Sequence, residues 1–465
     1  MSTTSSSLAK KIGFWSATAI IIGSVIGSGV FMKPASMAAQ LGSPIWLTVI
    51  WIIAGIFSLF GALVYAELGA MIQEKGGQKV YLKRMFGDFV GYLYGWAAFS
   101  AINTTGIAAI SFVCAQYADY FLHLPRLDTI TEHSVIWHIP FIGDLFPLEN
   151  IGVKSLAILL VILFTAINYL STKAGSVFQV VSTFIKVAAL VLLVFGIFFS
   201  GAGDFQHFIS AENPKQNGAL LAGIMAALSG AFFAYDGWIN ITFIAGEIKN
   251  PQKNIPKSLF TGVLTCIVIY VLVNQAYLYV MPIESIATSS LVAADAMTIA
   301  MGGMAGAVIA ALIVICTLGA INGNALATAR VTYAMGKDRV FLPWTGKTHP
   351  KFQTPGNALV LHCVWICMFI ITGSFDMVGD IMVFMTWIFY GLGAVGVFIL
   401  RKKMATTERP YKIWKHPFVT LLYIAFTTFF LVATIYNDVS NYLAGTQPVI
   451  NSLLGLLIAA LGIPL

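Results

Sequence analysis

The chain has 465 residues, 58% of them hydrophobic and 10% charged, and a mean hydropathy of +0.85. These values exclude an ordinary water-soluble domain and put the chain in a lipid bilayer. The net charge of +7 calls for no nucleic-acid partner, because the basic residues collect in loops on one side, as a membrane orientation demands.

The serine-rich start, Ser2 to Ser7, reads as part of a disordered tail over residues 1–11. Apolar runs of about 20 residues, the length that crosses hydrocarbon as a helix, then follow at 12–34, 45–70, 86–122, 151–170, 175–200 and 218–247. They continue at 258–281, 303–332, 357–373, 378–400, 417–437 and 448–463. The expectation is an all-α integral membrane protein of about twelve spans, forming one domain over 1–465. The first run is no cleaved signal peptide: its apolar core is too long, and Ser24 and Ser28 sit inside it without a cleavage site. The longest aqueous insertion, 123–150, is too short to be a domain.

With the N-terminus inside, about 21 of the 26 Lys and Arg residues fall on the cytoplasmic side. Lys33, Arg126, Lys154 and Lys215 fall outside, and Lys186 lies in mid-membrane. Both termini are therefore expected in the cytoplasm, with the chain in the inner or plasma membrane. The five cysteines, Cys114, Cys266, Cys316, Cys363 and Cys367, all lie within spans, so no disulfide framework is implied.

Two spans break the pattern of continuous apolar helix. The first reads Gly23-Ser-Val-Ile-Gly-Ser-Gly-Val-Phe31, and each glycine weakens a helix by up to about 1 kcal/mol relative to alanine. The second reads Phe232-Phe-Ala-Tyr-Asp-Gly-Trp-Ile-Asn240, with an Asp-Gly turn signal inside an apolar run. A small-residue packing face and a glycine kink are the plainer readings. What favours a site is position: the breaks fall in spans one and six, so a five-span repeat, inverted because five is odd, makes them equivalent. Inverted repeats with a broken helix in each half point to a transport site at the midplane.

Unwound backbone in a membrane is tolerated where it lines a cavity and finds partners, and an amino-acid zwitterion is such a partner. Its carboxylate would accept from the N–H groups of Ser28 and Gly29 at a positive helix end. Its ammonium would donate to carbonyls at Val25 and Phe233, and glycine at 27 and 29 would let it reach the backbone.

These two motifs, with Gly246-Glu-Ile-Lys-Asn-Pro251 and Ile255-Pro256, resemble the amino acid-polyamine-organocation (APC) superfamily, and within it the bacterial branch of the L-type amino acid transporter (LAT) family. The likeness covers nearly the whole chain. It implies a LeuT-type 5+5 inverted repeat, about 12–200 and 218–400, plus two C-terminal helices within 417–463. It also implies sodium-independent exchange of small or medium neutral L-amino acids by alternating access, without enzymatic chemistry. The family's substrate contacts map to Val25, Ile26, Gly27, Ser28 and Gly29 in the first span and to Phe233, Ala234 and Asp236 in the sixth, with Phe233 as an aromatic gate. Asn240, one turn on, is expected to face the substrate side chain. Animal members often carry glycine where this chain has Asp236. They also use an outer-loop cysteine to tether a heavy subunit; this chain has none, so no such partner is expected.

Lys186 lies where a charge costs at least about 2.5 kcal/mol. Gln179, Ser182, Thr183 and Lys186 share one helical face, so a polar stripe points inward. In the family such a lysine sits where sodium binds in sodium-coupled relatives, and a coupling role is expected here; snorkelling is the alternative, but both span ends are about eleven residues away. Asp236 either contacts the ammonium or caps the second half-helix, and capping is favoured. Ser100, Asn103, Thr104, Thr317, Asn322 and Asn324 either line the pathway or bond between helices. Glu247 and Glu67 are candidates for an inner latch.

Other strings carry no chemistry. Gly391-Leu-Gly-Ala-Val-Gly396 mimics a dinucleotide fingerprint inside an apolar span, and Gly346-Lys-Thr348 lacks the phosphate loop's first glycine, since Phe341 stands there. The histidines show no metal spacing, and neither metal nor cofactor is expected. The competing functions are a proton-coupled symporter on the same fold and an amino-acid sensor without flux.

Overall fold

The computed structural model describes residues 12–72, 74, 76–210 and 217–463, and the side chains of 172–181, 183 and 217 fall outside what it describes. The expected tail, Lys75, Lys215, and the side chains of Gln179 and Thr183 in the polar stripe therefore lie outside the described residues.

The first span is two helices, α1 (Phe14–Val25) and α2 (Gly29–Leu41), bent by 44° at the break between them. Helix α2 stops at Gly42, whose φ of 59° is the left-handed C-terminal conformation glycine favours. Helix α3 (Pro44–Met71) starts two residues later, with Pro44 at its first position and the Ser43 hydroxyl accepting from the Trp46 amide at 3.4 Å. After α4 (Gln78–Phe86), the third span comprises α5 (Asp88–Ala97), a π-helical turn at Ala98–Ile102, and α6 (Asn103–Leu122). The 123–150 insertion holds α7 (Thr129–Glu132) and an antiparallel hairpin of β1 (Trp137–Ile139) and β2 (Gly143–Leu145), with Trp137 opposite Leu145.

Next come α8 (Ile151–Leu170) and α9 (Thr172–Phe199), then α10 (Asn217–Tyr235), which runs into a 3₁₀ segment at Trp238–Glu247. The second half holds α11 (Pro251–Val280), the short α12 (Ile283–Thr288) and α13 (Val292–Met301), α14 (Gly303–Lys337), α15 (Gly356–Thr372) and α16 (Phe375–Lys403). Helices α17 (Phe418–Leu443) and α18 (Asn451–Ala460) end the described chain.

Among the described residues, eight helices are long and apolar enough to cross a membrane, and the bent α1–α2 pair makes nine. Helices α9, α15 and α18 occupy the other three expected spans; α18 has only 10 residues. The architecture is thus an all-α membrane protein of about twelve spans, with helices one and six interrupted. Large apolar side chains such as Phe184, Phe195 and Phe199 of α9 or Phe429 and Val432 of α17 are exposed, as a hydrocarbon solvent requires.

The broken spans sit at the centre: α10 packs on α2 and α3, and α11 on α1 and α3. Pro34 inside α2 lacks the amide that would bond the Val30 carbonyl, and the Tyr277 hydroxyl of α11 donates to that oxygen instead, at 3.4 Å. Tyr117 of α6 donates to the Phe31 carbonyl at 3.2 Å. Neighbouring helices thus hold the strained part of α2 by its main chain.

Two of the lysines expected on the outer side, Lys33 in α2 and Lys154 in α8, are buried within their helices. The Lys154 ammonium donates to the Phe146 and Ile371 carbonyls at 2.7 and 3.0 Å, tying the insertion to the end of α15. Charge in the sequence marked the aqueous side, but carboxylate and main-chain acceptors drew both side chains inward.

Candidate functional site

At the first break the backbone leaves the helix at Ile26, where ψ is 99°, and helix resumes at Gly29 with Ser28 before it. The Ile26 amide still reaches back to Ile22 at 2.8 Å, so the interruption is confined to Ile26–Ser28. At the second, α10 ends at Tyr235 and Gly237 adopts φ 110°, a left-handed geometry that strains other residues.

The two breaks touch through missing side chains. A Cβ on Gly29 would stand 2.6 Å from Ala234 Cα, and a Cβ on Gly237 would stand 2.5 Å from the Ser24 carbonyl oxygen. Each interrupted helix therefore needs a glycine where the other passes. Gly29 was expected to clear space for a ligand; its Cβ direction is filled by Ala234 instead. Gly27 keeps the open position, since a Cβ there would meet only the Val25 oxygen, at 3.7 Å.

Freed carbonyls at the breaks have side-chain donors. Lys186 Nζ, on the 6% exposed side chain of α9, lies 3.3 Å from the Ile26 carbonyl oxygen. The Tyr270 hydroxyl of α11 lies 2.8 Å from the Val25 oxygen and 3.0 Å from the Ala234 oxygen, so one hydroxyl spans both breaks. The Val25 carbonyl, expected to face a ligand ammonium, thus already has a donor. A tyrosine in an apolar span carries no signal of its own; only the position of α11 against both breaks identifies Tyr270.

Asp236 does not occupy the capping position of the following 3₁₀ segment, which is Gly237. Its carboxylate accepts from the Tyr390 hydroxyl of α16 at 2.8 Å. Asp236, Asn240 and Ser24 line a cavity of about 2110 Å³ that opens at the end bearing Lys79, Arg84, Arg330 and Arg339. Val25, Ile26, Ser28, Gly29, Phe233 and Ala234 are buried and Gly27 is half-buried, and none of them lines that cavity.

The pathway candidates divide. Asn103 and Asn324 line the cavity. Thr317 donates to the Ile313 carbonyl at 2.8 Å, and the Asn322 amide oxygen accepts from Asn168 of α8 at 2.9 Å. Ser100 is fully buried in the π-helical turn, where its carbonyl accepts from Trp365 at 2.8 Å, and Thr104 is buried just beyond it. That turn puts Ala98, Phe99 and Ile102 on the cavity wall; such bulges collect at functional sites, and nothing in the sequence announced it.

The two ends of the pathway differ. At the open end Glu67 is buried and accepts from Arg401 at 3.0 and 2.7 Å and from the Ile413 amide at 2.9 Å. Among the described residues Glu247 forms no ion pair; its carbonyl accepts from the Ile12 amide at 3.1 Å. Glu67 thus clamps α3 to α16, and neither Glu67 nor Arg401 lines the cavity. At the far end Phe233 meets Phe375 edge to face at 5.6 Å, and Lys33 Nζ pairs with Asp376 at 2.6 Å.

A family model described as amino acid permease matches residues 12–461. The serine/threonine exchanger SteT of Bacillus subtilis (strain 168) is 32% identical over 443 residues, covering 94% of either chain. The b(0,+)-type amino acid transporter 1 of Mus musculus is 29% identical over 93% of this chain and 84% of its own. The large neutral amino acids transporter small subunit 2 of Homo sapiens is 29% identical over 93% of this chain and 77% of its own.

Proposed function

The chain belongs to the amino acid permease family and is a membrane transporter of amino acids, not an enzyme; from that premise we propose that it exchanges small neutral L-amino acids, independently of sodium. The observation that carries this is the meeting of the two breaks, Gly29 on Ala234 and Gly237 on Ser24, with Lys186 at the Ile26 carbonyl.

Main chain at Gly27 and Ser28 takes the substrate carboxylate at the start of α2. Phe233 covers the bound molecule, Asp236 and Asn240 face it from the cavity side, and the buried backbone of Val25, Ile26, Gly29 and Ala234 shapes the seat. A short polar side chain suits this reading, in keeping with the serine/threonine exchanger among the relatives. Lys186 Nζ occupies the position beside the Ile26 carbonyl, which leaves an inorganic cation no role there. Residues 12–200 and 218–400 act as two inverted repeats rocking about the site, 417–463 adds two helices, and both termini face the cytoplasm. The cavity beside Asp236 then opens inward.

Counterflow in proteoliposomes tests the reading. Labelled serine should enter only when amino acid is present inside, and replacing sodium with choline should leave the rate unchanged. Uptake driven by a pH gradient into amino-acid-free vesicles would replace exchange with proton symport.

A further inference from the structure

The cavity that reaches Asp236 is larger than an amino acid needs. Its volume of about 2110 Å³ exceeds the roughly 300–1,000 Å³ that holds a drug-sized ligand, and part of its wall belongs to the mouth rather than to the polar end around Asp236 and Asn240.

Three cations stand at that mouth on converging elements: Lys79 in the first turn of α4, Arg330 in the last two turns of α14, and Arg339 just beyond the end of α14. Among the described residues none of the three forms an ion pair or a side-chain hydrogen bond. The other two cations at the mouth are already engaged, Lys83 with Asp88 at 2.6 Å and Arg84 with Glu74. Asp338 is the remaining acid there among the described residues, so the mouth carries an excess of positive charge. Burial pushes the Lys79 ammonium below its ordinary value, with Asp338 opposing the shift and Lys83 adding to it.

Arg339 stands where a helix end favours glycine. Its φ is 56°; its amide donates to the Gly336 carbonyl at 3.2 Å, and the Val340 amide donates to the Met335 carbonyl at 3.1 Å, which together close α14 through a left-handed residue. A side chain in that conformation is strained, and the strain sets a guanidinium at the mouth.

Apolar side chains share the same wall. Phe89 of α5, Leu342 in the loop after α14 and Ile463 beyond α18 line the cavity while 56%, 39% and 57% exposed. Tyr92 of α5 fixes that side by donating to the Gly462 carbonyl at 2.9 Å. Free phosphate would need the cations alone. A phosphate carried on acyl chains uses both features, and basic pockets between spans on the cytoplasmic side, to which the basic loops assign this end, suit such headgroups.

We propose that this mouth is a binding site for an anionic phospholipid, with the phosphate held by Lys79, Arg330 and Arg339 and the acyl chains lying along Phe89, Leu342 and Ile463. The headgroup bridges α4 to the end of α14, and the two guanidinium groups present paired N–H donors that fit phosphate oxygens. The site stands whichever amino acid the carrier moves and whether or not it exchanges.

The test measures binding to the purified full chain in a non-ionic detergent, by native mass spectrometry and by thermal shift. The probes are dioleoyl phosphatidylglycerol, dioleoyl phosphatidylcholine and inorganic phosphate. Phosphatidylglycerol should be retained and should raise the melting temperature, while the other two do neither. Arg330→Gln and Arg339→Gly should each weaken its binding about fivefold, and the double variant about 25-fold. Since glycine suits the backbone at 339 better than arginine does, a folding defect would not account for the loss there. Phe89→Ser should weaken phosphatidylglycerol with no change in charge. Wild-type affinity for phosphatidylglycerol in the double variant, or equal retention of phosphatidylcholine, would overturn the site. Phosphate that stabilises the chain as well as phosphatidylglycerol does, with Phe89→Ser silent, would make it a site for free anions and overturn the lipid.

Discussion

At Gly29 a single hydrogen decides whether the two broken spans can meet, because any Cβ would fall 2.6 Å from the Ala234 Cα. Gly29→Val should therefore abolish exchange through a packing defect of about 1–3 kcal/mol, seen as a lower melting temperature in detergent as well as lost uptake. Lys186→Ala removes the donor at the Ile26 carbonyl and should slow turnover at least about tenfold, an unsatisfied buried carbonyl being worth about 1–3 kcal/mol. Substrate binding, followed by thermal shift, should fall less than turnover; wild-type exchange by that variant would remove Lys186 from the mechanism. Tyr270→Phe keeps the ring and deletes the hydroxyl that spans Val25 and Ala234. It should lower the exchange rate while leaving the amount of folded protein near wild type, as judged by size-exclusion profiles. A fall in both together would make Tyr270 a packing residue. The breaks at 23–31 and 232–240 and the buried cation at 186 are legible in the sequence because glycine, Asp-Gly and lysine are each expensive in an apolar helix. Tyr270 is not, since its hydroxyl gains meaning only from carbonyls more than thirty residues away.

At the scale of elements, the interruptions do different work in the two halves. The first break is a three-residue hinge between two α-helices, and the second continues as a 3₁₀ segment from Trp238 to Glu247. A buried clamp joins α3 to α16: Glu67 takes two guanidinium bonds and one amide while only 2% exposed. Glu67→Gln leaves Arg401 without its carboxylate and should lower stability by about 3 kcal/mol or more, read as a fall in melting temperature, with cysteine accessibility in the cavity unchanged. A change in accessibility at constant stability would instead make it a gate. Neither the shortness of α18 nor the π-helical turn at Ala98–Ile102 can be read from hydropathy, because both depend on what a neighbouring helix offers. Trp365 holds the Ser100 carbonyl, and Asp438 accepts from the Ser452 amide at the start of α18, at 2.8 Å.

Across the whole molecule, Asp236 and Asn240 line a large cavity, while Phe233 packs on Phe375 and Lys33 pairs with Asp376. Composition and the spacing of apolar runs were enough to determine a bilayer protein of about twelve helices, since a hydrocarbon solvent leaves the backbone almost no other choice. The same constraint exposed the two breaks, because only a site repays unwound backbone in that solvent. Tertiary structure alone decided which groups meet the freed backbone: Ala234 rather than ligand at Gly29, Tyr270 at Val25, Tyr390 at Asp236. It also buried Lys33 and Lys154, near the outer ends of their spans, among carboxylate and carbonyl oxygens. Hydropathy is a property each residue carries alone, so sequence reports it faithfully; a partner for a buried donor or carbonyl is a property of two helices brought together, and exists only once the chain has folded.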